Sequence, residues 1–295
     1  MSATTLADAR HVITDRKPPP EVRRRRFLLA VANHSVALLL SLMFIIPLFV
    51  VMTTAFMTHA QVGTGKVIPD PFYFGNFQKV FTQIPFLRYL ANTVIYAGLA
   101  TVGVVLSSIP VAYAFSRLRW RGRDATFILV LATMMLPAQV TSVSLYIVFT
   151  RLHLVGTLAP LILPTFFGDA FSIFLLRQFF MTLPKELEDA AKIDGCGPLG
   201  IYWNVCIPLS KPALATVAVF SFMAHWNDFM GPLIYIQSME NKTLALGLAS
   251  FKSLHGTEYH LMMAASIAVL MPVLMIFFSA QKYFVKGIVM SGIKG

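Results

Sequence analysis

The sequence predicts an all-α membrane protein that crosses the bilayer six times, and three observations lead to that expectation. Of the 295 residues, 57% are hydrophobic and only 13% charged, with a mean hydropathy of +0.70. A soluble domain carries roughly 25% charged residues, so this chain lacks the polar groups to cover a surface facing water. Uncharged apolar stretches recur along it, several longer than the roughly 18 residues that mark a spanning helix. The basic residues between those stretches are distributed unevenly, as in polytopic membrane proteins. These features exclude a soluble enzyme and a disordered chain. Two cysteines, Cys196 and Cys206, are too few for a disulfide scaffold and read as space-filling thiols in a reducing compartment.

The spans follow in order. The first runs from about Phe27 to Phe56 and contains Pro47. The second is Tyr89 to Ser116 around Pro110, and the third is Ala125 to Thr150 around Pro137. Leu158 to Phe180 makes a fourth, interrupted by Asp169 and ending near Arg177. Pro212 to Ile236 makes a fifth, uncharged until Asp228, and Leu261 to Gln281 a sixth with Pro272 near its middle. Prolines are acceptable inside such helices because neighbouring groups re-satisfy the freed carbonyls. The chain thus divides into a basic tail (1–26), a six-span domain (27–285) that includes a loop over 181–211, and a C-terminal tail (286–295).

Of 24 basic residues, 18 fall on one side: the N-terminal tail, the Arg117–Arg123 loop, the segment from Arg177 to Lys211, and the C-terminal end. Lys66, Lys79, Arg88, Arg151, Lys242 and Lys252 make 6 on the other side. The excess places both termini in the cytoplasm, in a multi-pass plasma-membrane protein. The net charge of +11 is therefore an orientation signal. Nucleic acid is not an expected partner, because Arg23 to Arg26 run directly into Phe27, Leu28, Leu29 and Ala30 rather than lying on a folded polar face. A first apolar stretch of about 30 residues is too long for a cleaved signal peptide. The Pro18–Pro20 run suggests a flexible tail before it, and the turn-rich segment from Thr58 to Arg88 an outer loop.

Catalytic chemistry is not expected. Gly63, Thr64, Gly65 and Lys66 resemble the end of a phosphate loop, but the required first glycine falls at Ala60 and Val67 replaces the Ser or Thr. No nucleotide or other cofactor is expected on this chain, no catalytic residue, and no metal site.

The segment between spans four and five is the most informative. From Leu183 to Pro198 it has an early proline, acids at Glu186, Glu188 and Asp189, and a closing glycine, which together predict a short helix with acids near the positive end of its dipole. A second short helix is expected from Pro198 through Val205, limited by Pro208 and Pro212. Small Ala190, Ala191 and Gly195 permit close approach, and the two helices make a docking surface. The alternative is a loop resting on lipid headgroups. Four acids against two lysines from Lys185 to Asp194 disfavour it, since an anionic membrane surface repels such a strip.

This segment resembles the EAA loop of binding-protein-dependent ABC permeases: Glu-Ala-Ala, three residues, Gly, nine residues, Ile-x-Leu-Pro. Asp189, Ala190, Ala191, Gly195, Val205, Ile207 and Pro208 stand at that spacing, with Asp for Glu, Val for Ile and Ile for Leu. Phe174 to Phe180, Trp226 to Phe229, Gln281 to Gly287 and Gly292 to Gly295 resemble the carbohydrate-uptake permeases of the maltose type, in particular the smaller six-span partner of the permease pair. The resemblance implies a type I importer fold and an ATPase-docking surface formed by Glu186, Glu188, Asp189, Ala190, Ala191, Asp194, Gly195 and Pro208. It implies a second permease subunit, a dimer of ATPase subunits carrying ATP and Mg2+, and an extracytoplasmic binding protein that engages the outer loop from Gln237 to His260. The expected cargo is a sugar or oligosaccharide.

Intramembrane acids are functional candidates in their own right. Asp169 lies near the middle of span four and Asp228 in the outer half of span five, beside Trp226, Asn227 and Phe229. Carboxyl and amide acceptors next to aromatic faces suit sugar hydroxyls, which makes these five the substrate-path candidates. The plainer roles are bracing of a helix end by Asp228 and Asn227 and a helix-to-helix hydrogen bond by Asp169. An ion-coupled secondary transporter using the two acids is the competing class, and inverted repeats that would support it are not evident. Glycerol phosphate or a polyol is the competing cargo, but acidic intramembrane groups favour a neutral saccharide.

Overall fold

The computed structural model describes residues 20–253 and 256–292, so most of the basic tail and the last three residues of the C-terminal tail lie outside the described residues. The chain forms two units, divided after Thr53. The first holds nearly all of helix α1 (Pro20–Ala55). Pro20 and Glu21 suit a first helical turn, and the helix takes in Arg23 to Arg26 rather than leaving them in a loose tail. Apolar side chains occupy every face of α1, as in a membrane-spanning helix.

The second unit is built around α3 (Phe86–Arg117), which at about 1.5 Å per residue is long enough to cross a bilayer. Before it comes α2 (Gly75–Gln83). After it come α4 (Arg123–Thr133), α5 (Ala138–Arg151), α6 (Ala159–Ile162) with a 3-10 turn at Leu163–Phe167, and α7 (Ala170–Thr182). The 181–211 loop holds α8 (Lys185–Ile193), α9 (Pro198–Ile201) and α10 (Ile207–Leu209). Then follow α11 (Lys211–Trp226), α12 (Met230–Tyr235) and α13 (Leu244–Ala249). A minimal antiparallel pair, β1 (Lys252–Ser253) with β2 (Gly256–Thr257), precedes α14 (Tyr259–Gly292).

Helix α3 packs chiefly on α7 and α11; its small residues Ala97, Ala100 and Ala112 are fully buried, and Gly103 lets the 3-10 turn at Leu163–Phe167 approach closely. One apolar cluster gathers around its last turns, with Tyr113, Phe115, Leu176, Phe180, Ile201 and Cys206. A second, around its first turns, holds Val80, Tyr89, Trp226, Leu244 and Leu261, and a third holds Tyr96, Phe149, Leu161 and Tyr235.

The six expected spans are not six continuous helices. Three helical stretches are long and apolar enough to cross a membrane over their described side chains, Arg24–Ala55, Phe86–Arg117 and Ala159–Thr182, and α14 runs unbroken through the sixth expected span. A further one arises if Pro198–Leu209 and Lys211–Trp226, bent by 73°, count together. Span three divides into α4 and α5 at Met134–Pro137, span four is interrupted at Gly168 and Asp169, and span five breaks at Asn227–Phe229. Pro47, Pro110 and Pro272 stay inside helices, but Pro137 does not. Pro110 sits in a helix gripped by α7 and α11, whereas the side chains from Ala132 to Pro137 are all exposed and no described residue covers that turn. The limit expected from Pro208 and Pro212 falls between them at Ser210, where a 73° bend leads into α11. The chain opens to a wide turn over Tyr202–Cys206, with Ile207 N–H donating to Tyr202 O, and helix continues to Leu209.

Asn76 fixes the entry to the second unit. It is fully buried, and its Nδ2 donates to Ala55 O at 2.8 Å and to Met57 O at 2.7 Å. Asn76→Ala leaves two buried carbonyls without their donor, so a loss of about 1–3 kcal/mol is expected. A fall in the melting temperature of the detergent-solubilised protein is the measurement.

Candidate functional site

The 181–211 loop presents one face to the protein and one outward. In α8, Ala191 is buried and Glu188 is turned inward, while Glu186, Asp189, Ala190 and Asp194 are exposed. Leu187 and Ile193 are exposed with them, Ile193 to 87%, as are Leu199 and Trp203 in the next helical stretch. The outer face therefore combines acids with large apolar side chains, a composition suited to a protein partner. Lys192 Nζ lies 2.9 Å from Asp189 Oδ1 and holds that carboxyl below the ordinary range, while the carboxyl raises the lysine. Asp189 is therefore a fixed negative charge at neutral pH.

Gly195 has a structural reason for its place. Its φ is +84°, Gly195 N–H donates to Lys192 O at 3.0 Å, and Cys196 N–H donates to Ala191 O at 2.9 Å. These two bonds close α8 in the pattern that needs a left-handed residue four positions after Ala191. The spacing from the Ala-Ala pair to the glycine is thus the geometry of one helix end. No atom stands within 4 Å of a Cβ built there, so Gly195→Val should cost only the conformational penalty, about 1–2 kcal/mol. The check is the melting temperature of the purified variant, with Gly195→Asn expected to lose less.

The substrate-path candidates lie at the helix breaks. Asp169 is the N-cap of α7: its Oδ2 accepts from Ser172 N–H at 2.8 Å, and its own N–H faces Ser108 Oγ at 3.4 Å. Asp228 sits between α11 and α12, where Oδ2 accepts from the Tyr96 hydroxyl at 2.7 Å and Oδ1 from Gly231 N–H at 3.1 Å. His225 packs edge-on against Tyr96 at 5.4 Å. Asn227 and Phe229 are exposed at the break, whereas Trp226 is buried against Phe222 in the second apolar cluster. Ser108 and Tyr96 are twelve positions apart on α3, about 18 Å along its axis, so the structure does not bring the two acids together.

At the opposite end of α3 from the 181–211 loop, the chain after α12 is tied down. Asn92 Nδ2 donates to Glu240 O at 2.8 Å and to Lys242 O at 3.0 Å, and Leu244 N–H donates to Thr93 Oγ1 at 2.8 Å. Arg88 pairs with Glu240 at 3.0 Å.

A short helix with a fixed glycine end, followed by a bent helical pair leading into an apolar helix, is the arrangement that the motif spacing anticipates. Residues 103–290 match the family described as "Binding-protein-dependent transport system inner membrane component". The chain belongs to this family. The permease is 31% identical over 263 residues to the arabinooligosaccharides transport system permease protein AraQ of Bacillus subtilis, covering 88% of this chain and 93% of that one. It is 33% identical over 266 residues to the sn-glycerol-3-phosphate transport system permease protein UgpE of Yersinia pestis, covering 87% and 94%. Its fold matches a chain of a bacterial ABC transporter involved in the import of the acidic polysaccharide alginate, with a TM-score of 0.76 at 24% identity, covering 91% of this chain and 99% of that one. The chain is accordingly an inner-membrane transport component and not an enzyme.

Reading the sequence alone missed three side chains of the permease. Tyr96 is the partner of Asp228, Tyr113 donates its hydroxyl to Pro198 O at 2.8 Å, and Arg117 turns inward from the basic loop. The available signal was an arginine and a tyrosine one helical turn apart at the end of a span that faces the acidic strip.

Proposed function

We propose that this permease subunit forms, with a sister permease, the translocation path of an ATP-driven importer for a saccharide delivered by an extracytoplasmic binding protein. The observation that carries the reading is the outward face of α8 and α9, where Glu186, Asp189 and Asp194 stand among exposed Ile193, Leu199 and Trp203. An ATPase subunit is the partner assigned to that face. ATP and Mg2+ belong to the ATPase dimer, and this chain takes no cofactor. The excess of 18 basic residues against 6 supports a cytoplasmic position for the loop and both termini. The outer segment held by Asn92 and Thr93 is the region assigned to the binding protein.

The cargo follows from the polar groups at the breaks. They are Asp169, Asn227 and Asp228, with no lysine or arginine at either break to pair with a phosphate, and the two acids, held apart as an N-cap and a brace, add negative charge at each. A relative named for arabinooligosaccharides agrees with this chemistry, while one named for glycerol 3-phosphate makes the phosphorylated solute the reading to test against.

The test is uptake by proteoliposomes carrying the full importer and its binding protein, supplied with labelled oligosaccharides or glycerol 3-phosphate. ATP-dependent uptake of a neutral saccharide is the expected result. Uptake of glycerol 3-phosphate alone would replace the cargo. Transport that persists without the ATPase and collapses with an ionophore would replace the mechanism. Asp189→Lys should release most of the ATPase from the purified complex while the permease stays folded, and full retention would remove the docking role of α8.

A further inference from the structure

Helix α3 ends in a buried ion pair that nothing in the importer reading requires. Arg117 is its last residue, and the side chain is only 5% exposed. Nη1 lies 2.9 Å from Glu188 Oε1, on a carboxylate 14% exposed. Nη2 donates to Leu183 O at 2.7 Å and also to Phe180 O. One guanidinium therefore joins the end of α3, the end of α7 and the first turn of α8. One turn earlier on the same face of α3, the Tyr113 hydroxyl holds Pro198 O, and its ring packs on Tyr202 at 5.1 Å. The last turns of α3 thus grip both α8 and α9.

An arginine that serves only to orient a span keeps its charge among headgroups, as the exposed Arg119 and Arg121 are free to do. Arg117 instead gives up water for one carboxylate and two carbonyls. A buried ion pair adds little net stability over an apolar contact of the same size, and its best-attested use is to fix register. Apolar contacts between α8 and α3 tolerate sliding, whereas this pair permits one relative position.

We propose that Arg117 and Glu188 are positioning residues that make α8 move together with α3, so that force applied to the outer face of α8 is delivered into the spanning helix instead of tilting α8 on its connections. The inference rests on the assignment of an ATPase to that face. It predicts that transport depends on the pair even where docking does not, because Glu188 points away from the docking face.

The test uses the full importer in proteoliposomes with its binding protein, reading saccharide uptake per ATP hydrolysed. A merely structural role would lower the amount of complex, and with it uptake and hydrolysis together, and leave that ratio unchanged. Glu188→Gln is expected to lower the ratio roughly tenfold, the size of a coupling between two sites. Because an unpaired buried arginine can impair folding, the double variant R117M/E188M removes both charges at once and is expected to show the same fall while retaining the ATPase. Arg117→Lys, which keeps a charge and one donor, should recover part of the ratio. A double variant with the wild-type ratio would overturn the proposal, as would loss of the ATPase from it to the extent expected of Asp189→Lys. A wild-type permease that holds no ATPase would instead overturn the importer reading itself.

Discussion

Replacing Gly103 with leucine is expected to cost the permease about 3 kcal/mol and to remove most of the folded protein from the membrane. Gly103 lies where α3 passes the 3-10 turn between α6 and α7. A Cβ there would meet the Phe166 ring at 2.8 Å and collide with the Thr165 side chain. Beside it the Ser107 hydroxyl lies 2.7 Å from Gly103 O and 3.1 Å from Thr165 O, so its one hydrogen is shared between its own helix and the neighbouring segment. A branched side chain cannot be accommodated by a single rotamer change, because both Thr165 and Phe166 must yield. The expected order of loss is Ala, then Val, then Leu. Fluorescence-detected size exclusion of the detergent extract and the melting temperature of what survives would show it, and equal yields for Gly and Leu would contradict the close approach.

The second large effect is expected at Asp228. Asp228→Ala deprives the Tyr96 hydroxyl and Gly231 N–H of their acceptor, at about 1–3 kcal/mol for each buried donor left unmade. The carboxyl also fixes the start of α12 against α3, so the break at Asn227–Phe229 loses its brace. Tyr96→Phe removes one of the two bonds and should cost less. A double-mutant cycle on Tyr96 and Asp228 is expected to yield a coupling of about 0.5–3 kcal/mol in thermal stability. Additive losses would indicate that the two groups act independently.

The sequence showed most where structure is set locally. The short helix at Lys185–Ile193 was legible because an early proline, first-turn acids and a glycine at a fixed offset are requirements of a single helix and its end. The length of the apolar stretches was legible too, since charge-free windows are a direct property of the chain. Their continuity was not. Pro110 and Pro137 are the same residue in similar windows, and only the packing around each decides whether the helix continues. The site residues divide in the same way. Gly195 could be placed from its spacing, but the hydrogen bond between Tyr96 and Asp228 joins residues 132 positions apart, and no local pattern encodes it. Glu188 and Asp189 are adjacent in the sequence and read alike as acids of one strip. Helical rotation turns one toward Arg117 and leaves the other outside.

The interruption at Met134–Pro137 bears on what surrounds this subunit. It begins 11 residues after Arg123, about 16 Å along the helix, which on the six-span expectation is near the middle of a hydrocarbon layer about 30 Å thick. Acyl chains offer no hydrogen bonds, and irregular backbone persists at that depth only against other protein or beside water. Met134, Met135 and Leu136 are exposed on this chain. On that expectation the side of the molecule that carries them faces another subunit or the wet interior of the assembled channel rather than lipid.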